Sequence, residues 1–361
     1  MSTNLRGPTA RHAAEPTAQQ QAVTLVQVAN RAGVSLATAS RVLNGSLRTV
    51  GPEFRQRVMD AAAELGYVAN AHAQAVARGA SNMVGLTVHD ISDPYFSSIA
   101  AGVMRIADEH GLVVLLGSTE RSTEREVEYV AMLRAQRARA LIIAGSRTAD
   151  RERIDKLARE IAAFRRTGGR VACISQNRLG ADTVLPQNRA GARALGQELA
   201  AMGHRRFAVL CGPRGLLTAR DRLAGFRDGV KAAGAAPEEL HLIYGPFTRD
   251  GGYASAQELL RDGKRVTCLF AVNDVMAVGA MAALREHGVA VPDEVSVAGF
   301  DDIATLRDLS PALTTVRLPL EDMGARAARM AFVDDESDTP RVTRVRGEVI
   351  LRESTAPPRS A

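Results

Sequence analysis

Arg41 is the side chain whose position in this sequence most clearly indicates a chemical role. It lies within residues 24–44, TLVQVANRAGVSLATASRVLN, a pattern that predicts a helix, a tight turn and a second helix. A short capped helix with an arginine on its outer face fits the major groove of DNA, where the guanidinium group can bind guanine O6 and N7. The alternative is an ordinary pair of packed helices in a helical domain.

Capping residues position these two helices. Thr24 is predicted to cap the first helix, with Gln27 three residues later in the capping-box position. Gly33 ends that helix, because glycine readily adopts a positive φ. Ser35 then caps the second helix, over residues 36–43.

The apolar spacing predicts which faces are buried. The first helix has an apolar stripe, and the second can turn one apolar face toward it; these residues are Val26, Val28 and Ala29, then Val34, Ala39 and Val42. The outward face of the second helix consists of Leu36, Ala37, Ser40 and Arg41. Thr38, Ser40 and Asn44 can bind phosphate groups, which fix register without reading sequence.

A third helix is predicted to begin at Pro52 and to bury the first two through Phe54, Val58, Ala62 and Leu65. Most of the net charge of +6 lies in residues 1–81, because this segment contains eight arginines and four carboxylates. A basic excess at this end of the chain supports a phosphate-binding surface.

From Met83 onward, apolar runs alternate with helical patterns, which is typical of parallel βαβ units in a doubly wound sheet. The runs cover residues 84–88, 112–116, 140–143, 171–174, 207–210, 268–271 and 295–298. They fall into two sets on either side of about residue 186, which predicts two similar lobes. Ligands in such folds bind beyond the carboxyl ends of the strands, here between the lobes.

These motifs together, in this order, resemble the lac-repressor/galactose-repressor family of bacterial transcription regulators. The resemblance rests on Val28-Ala29, residues 32–35 (AGVS), residues 38–44 (TASRVLN), and Leu65-Gly66-Tyr67 with Asn70. It covers residues 24 to about 353. It implies a small all-α helix-turn-helix headpiece followed by an α/β two-lobed domain like the periplasmic sugar-binding proteins.

For DNA binding, the resemblance implies that Leu36, Ala37 and Arg41 read bases. Thr24, Ser35, Tyr67 and Asn70 belong to the same expected DNA-binding set. Residues 70–79 resemble the family's hinge helix, in which Val76 would enter the minor groove. The alternative for this segment is a simple interdomain linker.

For the effector, the resemblance implies that Arg222, Asn273 and Asp301 bind hydroxyl groups. Phe96 and Phe247 would supply apolar faces, and this combination suits a sugar ring. The alternatives are a helix N-cap for Asn273 and a turn residue for Asp301. Ser175 and Gln187 replace residues that are acidic in many family members, which keeps a nucleobase-like corepressor as an alternative ligand.

We therefore predict a tail (1–22), a DNA-binding domain (23–69), a hinge (70–81), an effector-binding and dimerisation domain (82–353) and a second tail (354–361). Within the large domain, lobe 1 is predicted over 82–186 and 316–335, and lobe 2 over 187–315 and 340–353.

The expected function is a cytoplasmic, dimeric repressor that binds a near-palindromic double-stranded operator under control of a small-molecule effector, a sugar or sugar derivative. A solute-binding protein for transport is disfavoured, because the first residues lack the apolar region of a secretory signal. Enzyme activity is not expected, since nucleotide-binding, zinc-protease and hydrolase motifs are missing from the sequence. No cofactor, metal or membrane span is expected, and the cysteines at 173, 211 and 268 are expected to be buried thiols.

Overall fold

The computed structural model describes residues 23–44, 50–67, 81–234, 240–332 and 339–359. The chain divides into two units between residues 78 and 79. The first of these units is the headpiece.

The headpiece consists of α1 (Leu25–Ala32), α2 (Leu36–Asn44) and α3 (Pro52–Leu65). Thr24 and Gln27 form the predicted capping box, and Gly33 ends α1 with a φ of 65°. The Thr38 amide donates to Ser35 Oγ at 3.1 Å, so Ser35 caps α2 as predicted. Because the caps satisfy amide groups that a helix end leaves unpaired, this short segment can turn sharply without losing hydrogen bonds.

The three helices enclose one small core of alanine and valine side chains. Its buried members are Val28, Ala29, Ala32, Ala39, Val42, Val58, Ala61 and Ala62. Two residues predicted on buried faces are exposed: Val26 is 51% accessible and Phe54 is 46% accessible. Helices this short bury only a narrow stripe, and Val28 and Val58 already fill it.

Lobe 1 is built on a parallel sheet of the strands β1 (Met83–Val88), β2 (Val113–Ser118), β3 (Ala140–Ala144), β4 (Arg170–Ile174), β5 (Asp182–Pro186) and β11 (Val342–Val345). Their order in the sheet is β11-β5-β4-β3-β1-β2. The helices around it are α4 (Pro94–Glu109), α5 (Thr123–Ala135), α6 (Arg151–Arg166) and α11 (Leu320–Phe332). This lobe confirms the predicted parallel βαβ architecture.

Lobe 2 has a parallel sheet of the strands β6 (Phe207–Leu210), β7 (His241–Ile243), β8 (Cys268–Ala271) and β9 (Ser296–Ala298). Their order in the sheet is β7-β6-β8-β9. Helices α7 (Asn188–Ala201), α8 (Leu217–Ala232), α9 (Arg249–Arg261) and α10 (Asp274–Glu286) accompany it. A 3₁₀ helix (Ala304–Asp308) follows β9.

Two predicted boundaries near the C-terminus are wrong. We predicted residues 340–353 in lobe 2, but Val342–Val345 pairs with Thr183–Pro186 in the lobe 1 sheet. The next strand, β12 (Glu348–Ile350), pairs antiparallel with β10 (Thr315–Arg317). Residues 354–361 were predicted as a tail, yet Ser354 is fully buried and hydrogen-bonds to Thr314 and Val297 of lobe 2.

The three cysteines are free and buried, as predicted. Within the part of the chain that the structure describes, no helix is both long and apolar enough to cross a membrane.

Candidate nucleic-acid interface and ligand cleft

The exposed face of α2 presents the side chains that the sequence assigned to base reading. Leu36 is 49% accessible, and Ala37 and Arg41 are also exposed. Ser40 is half-buried beside them. The buried Ala39 and Val42 hold the opposite face against the core, so the helix can offer only this face to a groove.

The other predicted DNA-binding residues have structural contacts of their own. Thr24 Oγ1 takes part in the capping box, and Ser35 Oγ lies 2.9 Å from Thr38 Oγ1. Tyr67 is half-buried against the headpiece core. Asn44 ends α2; its side chain lies outside the described residues, as do Asn70 and Val76.

Sequence reasoning missed the residue that fastens the turn between α1 and α2. Arg57 of α3 donates through Nη2 to the carbonyl oxygen of Ala32 at 2.5 Å. Arg31 of α1 forms an ion pair with Glu64 of α3. These contacts tie α3 to the C-terminal end of α1, although a single arginine in the sequence gives no sign of such a partner.

In the second unit, Arg222 and Asp301 of lobe 2 form a buried bidentate ion pair that faces the cleft between the lobes. Arg222 Nη2 donates to Asp301 Oδ1 at 2.6 Å, and Nη1 donates to Oδ2 at 3.1 Å. Arg222 also donates to Asn188 Oδ1 at 2.9 Å and to the Val272 carbonyl at 2.7 Å. Beneath it lies the Phe300 ring, 3.9 Å from the guanidinium carbon. Each of the three guanidinium nitrogens of Arg222 therefore donates to a protein group.

This pair forms one wall of a cleft of about 40 Å³. Lobe 1 contributes His89, Asp93, Tyr95, Phe96, Arg121 and Ser146, and lobe 2 contributes Leu216, Thr218, Arg222, Phe247 and Asp301. The structure thus brings together four of the predicted effector residues, Phe96, Arg222, Phe247 and Asp301.

Asn273 does not line this cleft. Its Oδ1 accepts from the Met276 amide at 3.1 Å and caps α10, which is the alternative that the sequence left open. Its Nδ2 is buried with no hydrogen-bond partner among the described residues. Among the described residues, the fold therefore satisfies the side-chain amide oxygen of Asn273 but not its amide nitrogen.

Burial controls the charge of the cleft. It raises the pKa of Asp301 to about 6, against the opposing effect of Arg222. Burial also raises the pKa of Asp93. The pKa of His89 lies well below its usual value because of burial and of the nearby Arg147 and Arg121, so His89 is neutral near pH 7. The cleft thus combines a neutral imidazole with cationic and anionic groups that can bind hydroxyls.

Hydrogen bonds between the lobes close the cleft. The Thr218 amide donates to Ser146 Oγ at 3.0 Å, and Arg121 Nη2 donates to the Phe247 carbonyl at 3.2 Å. Beside the cleft, the Ala149 amide donates to the Gly215 carbonyl at 3.0 Å. The sequence analysis missed Ser146, Thr218 and Arg121, although Ser146 and Arg121 lie just after strands β3 and β2, where ligand groups collect.

Among the described residues, no group of three or more histidine, cysteine, aspartate or glutamate side chains could hold a metal ion.

Comparisons with known proteins agree with this architecture. Residues 24–70 match the family described as bacterial regulatory proteins, lacI family, and residues 197–355 match the periplasmic binding protein-like domain. The HTH-type transcriptional regulator GalS of Salmonella typhimurium is 35% identical over 316 residues, which cover 86% of this chain and 89% of GalS.

Solved structures extend the likeness to the fold. The lac repressor dimer bound to operator and the anti-inducer ONPF matches with a TM-score of 0.76 and 27% identity, over 93% of this chain and 100% of that one. A complex of the transcriptional regulator CelR with cellobiose matches with a TM-score of 0.66 and 30% identity, over 92% and 99%. The relatives are regulators and not enzymes. The chain belongs to the lacI family of bacterial regulatory proteins and is a DNA-binding transcriptional regulator.

Proposed function

We propose that this regulator represses transcription by binding a near-palindromic operator as a homodimer, and that a sugar or sugar derivative between the lobes changes its operator affinity. The observation that carries the proposal is the Arg222–Asp301 pair in the wall of the cleft, beside the aromatic rings of Phe96 and Phe247. Paired donors and acceptors next to an apolar face suit a ring that carries hydroxyl groups.

The α2 face supports the operator part of the proposal. Arg41 contacts guanine, and Leu36 and Ala37 offer apolar contact to a thymine methyl group. Thr38, Ser40 and Asn44 bind phosphate groups. Two headpieces related by a two-fold axis would read the two halves of one palindrome.

The dimer part rests on an apolar patch at the β2 edge of lobe 1. Val113 is 57% accessible and Leu115 is 42% accessible, although both belong to a strand. Met132 of α5, 42% accessible, extends the patch, since it lines one cavity with Leu115. Exposed apolar groups at a sheet edge are typical of surfaces that another chain covers.

The operator is tested by selecting bound genomic fragments with the purified full-length protein at near-physiological salt. We expect one enriched near-palindrome, and we expect Arg41→Ala to lower the enrichment. Equal enrichment of unrelated fragments by both proteins would contradict sequence-specific binding.

The ligand is tested by calorimetric titration with monosaccharides, disaccharides and purine bases, each followed by operator binding with the ligand present. We expect a saturable sugar, whose affinity falls in Phe247→Ala and is unchanged in Phe54→Ala, because Phe54 is an exposed headpiece residue. A purine base that binds in place of sugars would identify a nucleobase-like corepressor.

The dimer is tested by sedimentation of Leu115→Asp, with Leu351→Asp as the matched control, since Leu351 is 46% accessible outside the patch. We expect only Leu115→Asp to give monomers. The repressor acts on chromosomal DNA in the cytoplasm under this proposal.

A further inference from the structure

A second groove lies in lobe 2, at the carboxyl ends of β6 and β7. It is bounded by the segment after β6, by one face of α8 and by Tyr244, and its volume is about 350 Å³. That volume is within the usual range of small-molecule sites, roughly 300–1,000 Å³. The groove is thus far larger than the closed cleft between the lobes, which measures about 40 Å³.

Three arginines line the groove, and no carboxylate is among its described lining residues. They are Arg214, Arg220 and Arg227, and all three are exposed. Arg220 and Arg227 are two helical turns apart, which places them on one face of α8. Three cations at one groove repel one another, and an anion bound between them would be attracted to all three and offset this repulsion.

The carboxylates of α8 lie elsewhere. Asp221 and Asp228 line a different groove, where Asp228 pairs with Arg189 at 2.7 Å. Within the described residues, the three groove arginines have no ion pair or hydrogen bond through their side chains. Helix α8 therefore carries Asp221 and Asp228 on one face and Arg220 and Arg227 on another.

The shape of the groove favours a small molecule with a phosphate group. The Arg214 guanidinium lies 3.6 Å from the centre of the Tyr244 ring, and this stacking orients its planar donors. Ala219, Leu223 and Ala224 contribute apolar surface next to these donors. The arginine fork matches phosphate oxygens in bidentate fashion, and the apolar surface can contact a carbon skeleton.

We propose that this groove is a second ligand site, which binds a phosphorylated small metabolite independently of the inter-lobe cleft. Its position gives it a regulatory role, since Arg214 adjoins Gly215, whose carbonyl oxygen accepts from Ala149 of lobe 1. A ligand that holds Arg214 therefore also holds the lobe 2 loop that hydrogen-bonds to lobe 1.

The site is tested by calorimetric titration of the full-length protein with glycerol 3-phosphate, with glycerol and with pyrophosphate, at constant ionic strength. We expect saturable binding of both phosphates and none of glycerol. The double variant Arg220→Gln/Arg227→Gln should weaken binding about tenfold or more, because each charged hydrogen bond contributes strongly.

The control is Arg265→Gln/Arg285→Gln, which removes the same charge from exposed positions of lobe 2 outside the groove. We expect its affinity to equal that of the wild type, and Arg214→Lys to weaken binding because lysine cannot stack as a fork. An equal loss in the control pair would show that net charge alone attracts the anion. Weaker phosphate binding in Arg41→Ala, or displacement of the phosphate by short DNA, would place the anion on the headpiece and overturn the proposal. Binding that does not saturate would also overturn it.

Discussion

The ion pair between Arg222 and Asp301 is expected to stabilise the fold of the second unit as well as to bind ligand. Its side chains are 2% and 6% accessible, so removing one partner leaves the other charge buried. Breaking a buried pair in this way typically costs about 3–5 kcal/mol. Asp301 has a φ of 126°, which disfavours alanine there, so Asp301→Asn is the cleaner perturbation.

We expect Asp301→Asn and Arg222→Met each to lower the free energy of unfolding by roughly 3 kcal/mol. The double variant should lose less than the sum of the two by about 2 kcal/mol, because it leaves no buried charge unpaired. The assay is urea unfolding of the full-length variants, followed by circular dichroism, and assembled as a double-mutant cycle.

The matched control is the cycle of Arg189→Met and Asp228→Asn. That pair also shares two hydrogen bonds, at 2.9 and 2.7 Å, but its side chains are 65% and 42% accessible. Exposed pairs contribute at most about 1 kcal/mol, so its coupling should be small. Additivity within about 0.5 kcal/mol at Arg222 and Asp301, or equal coupling in both cycles, would refute the argument from burial.

Three further results are expected. Arg41→Ala should weaken operator binding, measured by fluorescence anisotropy, by about 1–3 kcal/mol, and calorimetry should find the affinity of the cleft ligand unchanged. An equal loss of affinity for random DNA would show that Arg41 contacts phosphate groups and not bases. Burial raises the pKa of Asp274 to about 8, so the folded state keeps a proton that the unfolded chain releases near pH 4. The free energy of unfolding should therefore fall as the pH rises between these two values. In Asp274→Asn that fall should diminish in unfolding titrations from pH 5 to 9, whereas an unchanged slope would assign it to other groups. A Cβ on Gly102 would overlap the Glu321 carbonyl oxygen, so Gly102→Ala should cost about 1–3 kcal/mol in urea unfolding, while Gly111→Ala tests strain at a positive φ without such an overlap.

Local signals predicted the parts of the fold that local chemistry determines. The capping box at Thr24 and the positive φ at Gly33 depend on neighbouring residues, and both are present. The strand at residues 268–271 is equally local, because its apolar run is buried on both faces. The predicted pattern of these elements was sufficient to identify the two-lobed α/β architecture.

Long-range choices could not be predicted in the same way. The run at Val342–Val345 has no local feature that selects the edge of the lobe 1 sheet over lobe 2, since pairing with β5 depends on where α11 returns the chain. At Asn273 one amide suits both a helix cap and a ligand, and only the position of α10 decides between them. The contact of Arg121 of lobe 1 with Phe247 of lobe 2 joins residues 126 positions apart in the sequence, so no local pattern predicts it.

The hydrogen bonds that close the cleft also determine how fast a ligand can enter. At about 40 Å³, the closed cleft admits no sugar until Ser146 and Thr218 separate. The observed association rate should therefore level off at high ligand concentration, at the rate of lobe opening, in the microsecond-to-millisecond range typical of such motions. The apparent affinity is then the intrinsic affinity multiplied by the open fraction, so variants that weaken the lobe contacts should bind ligand both faster and more tightly.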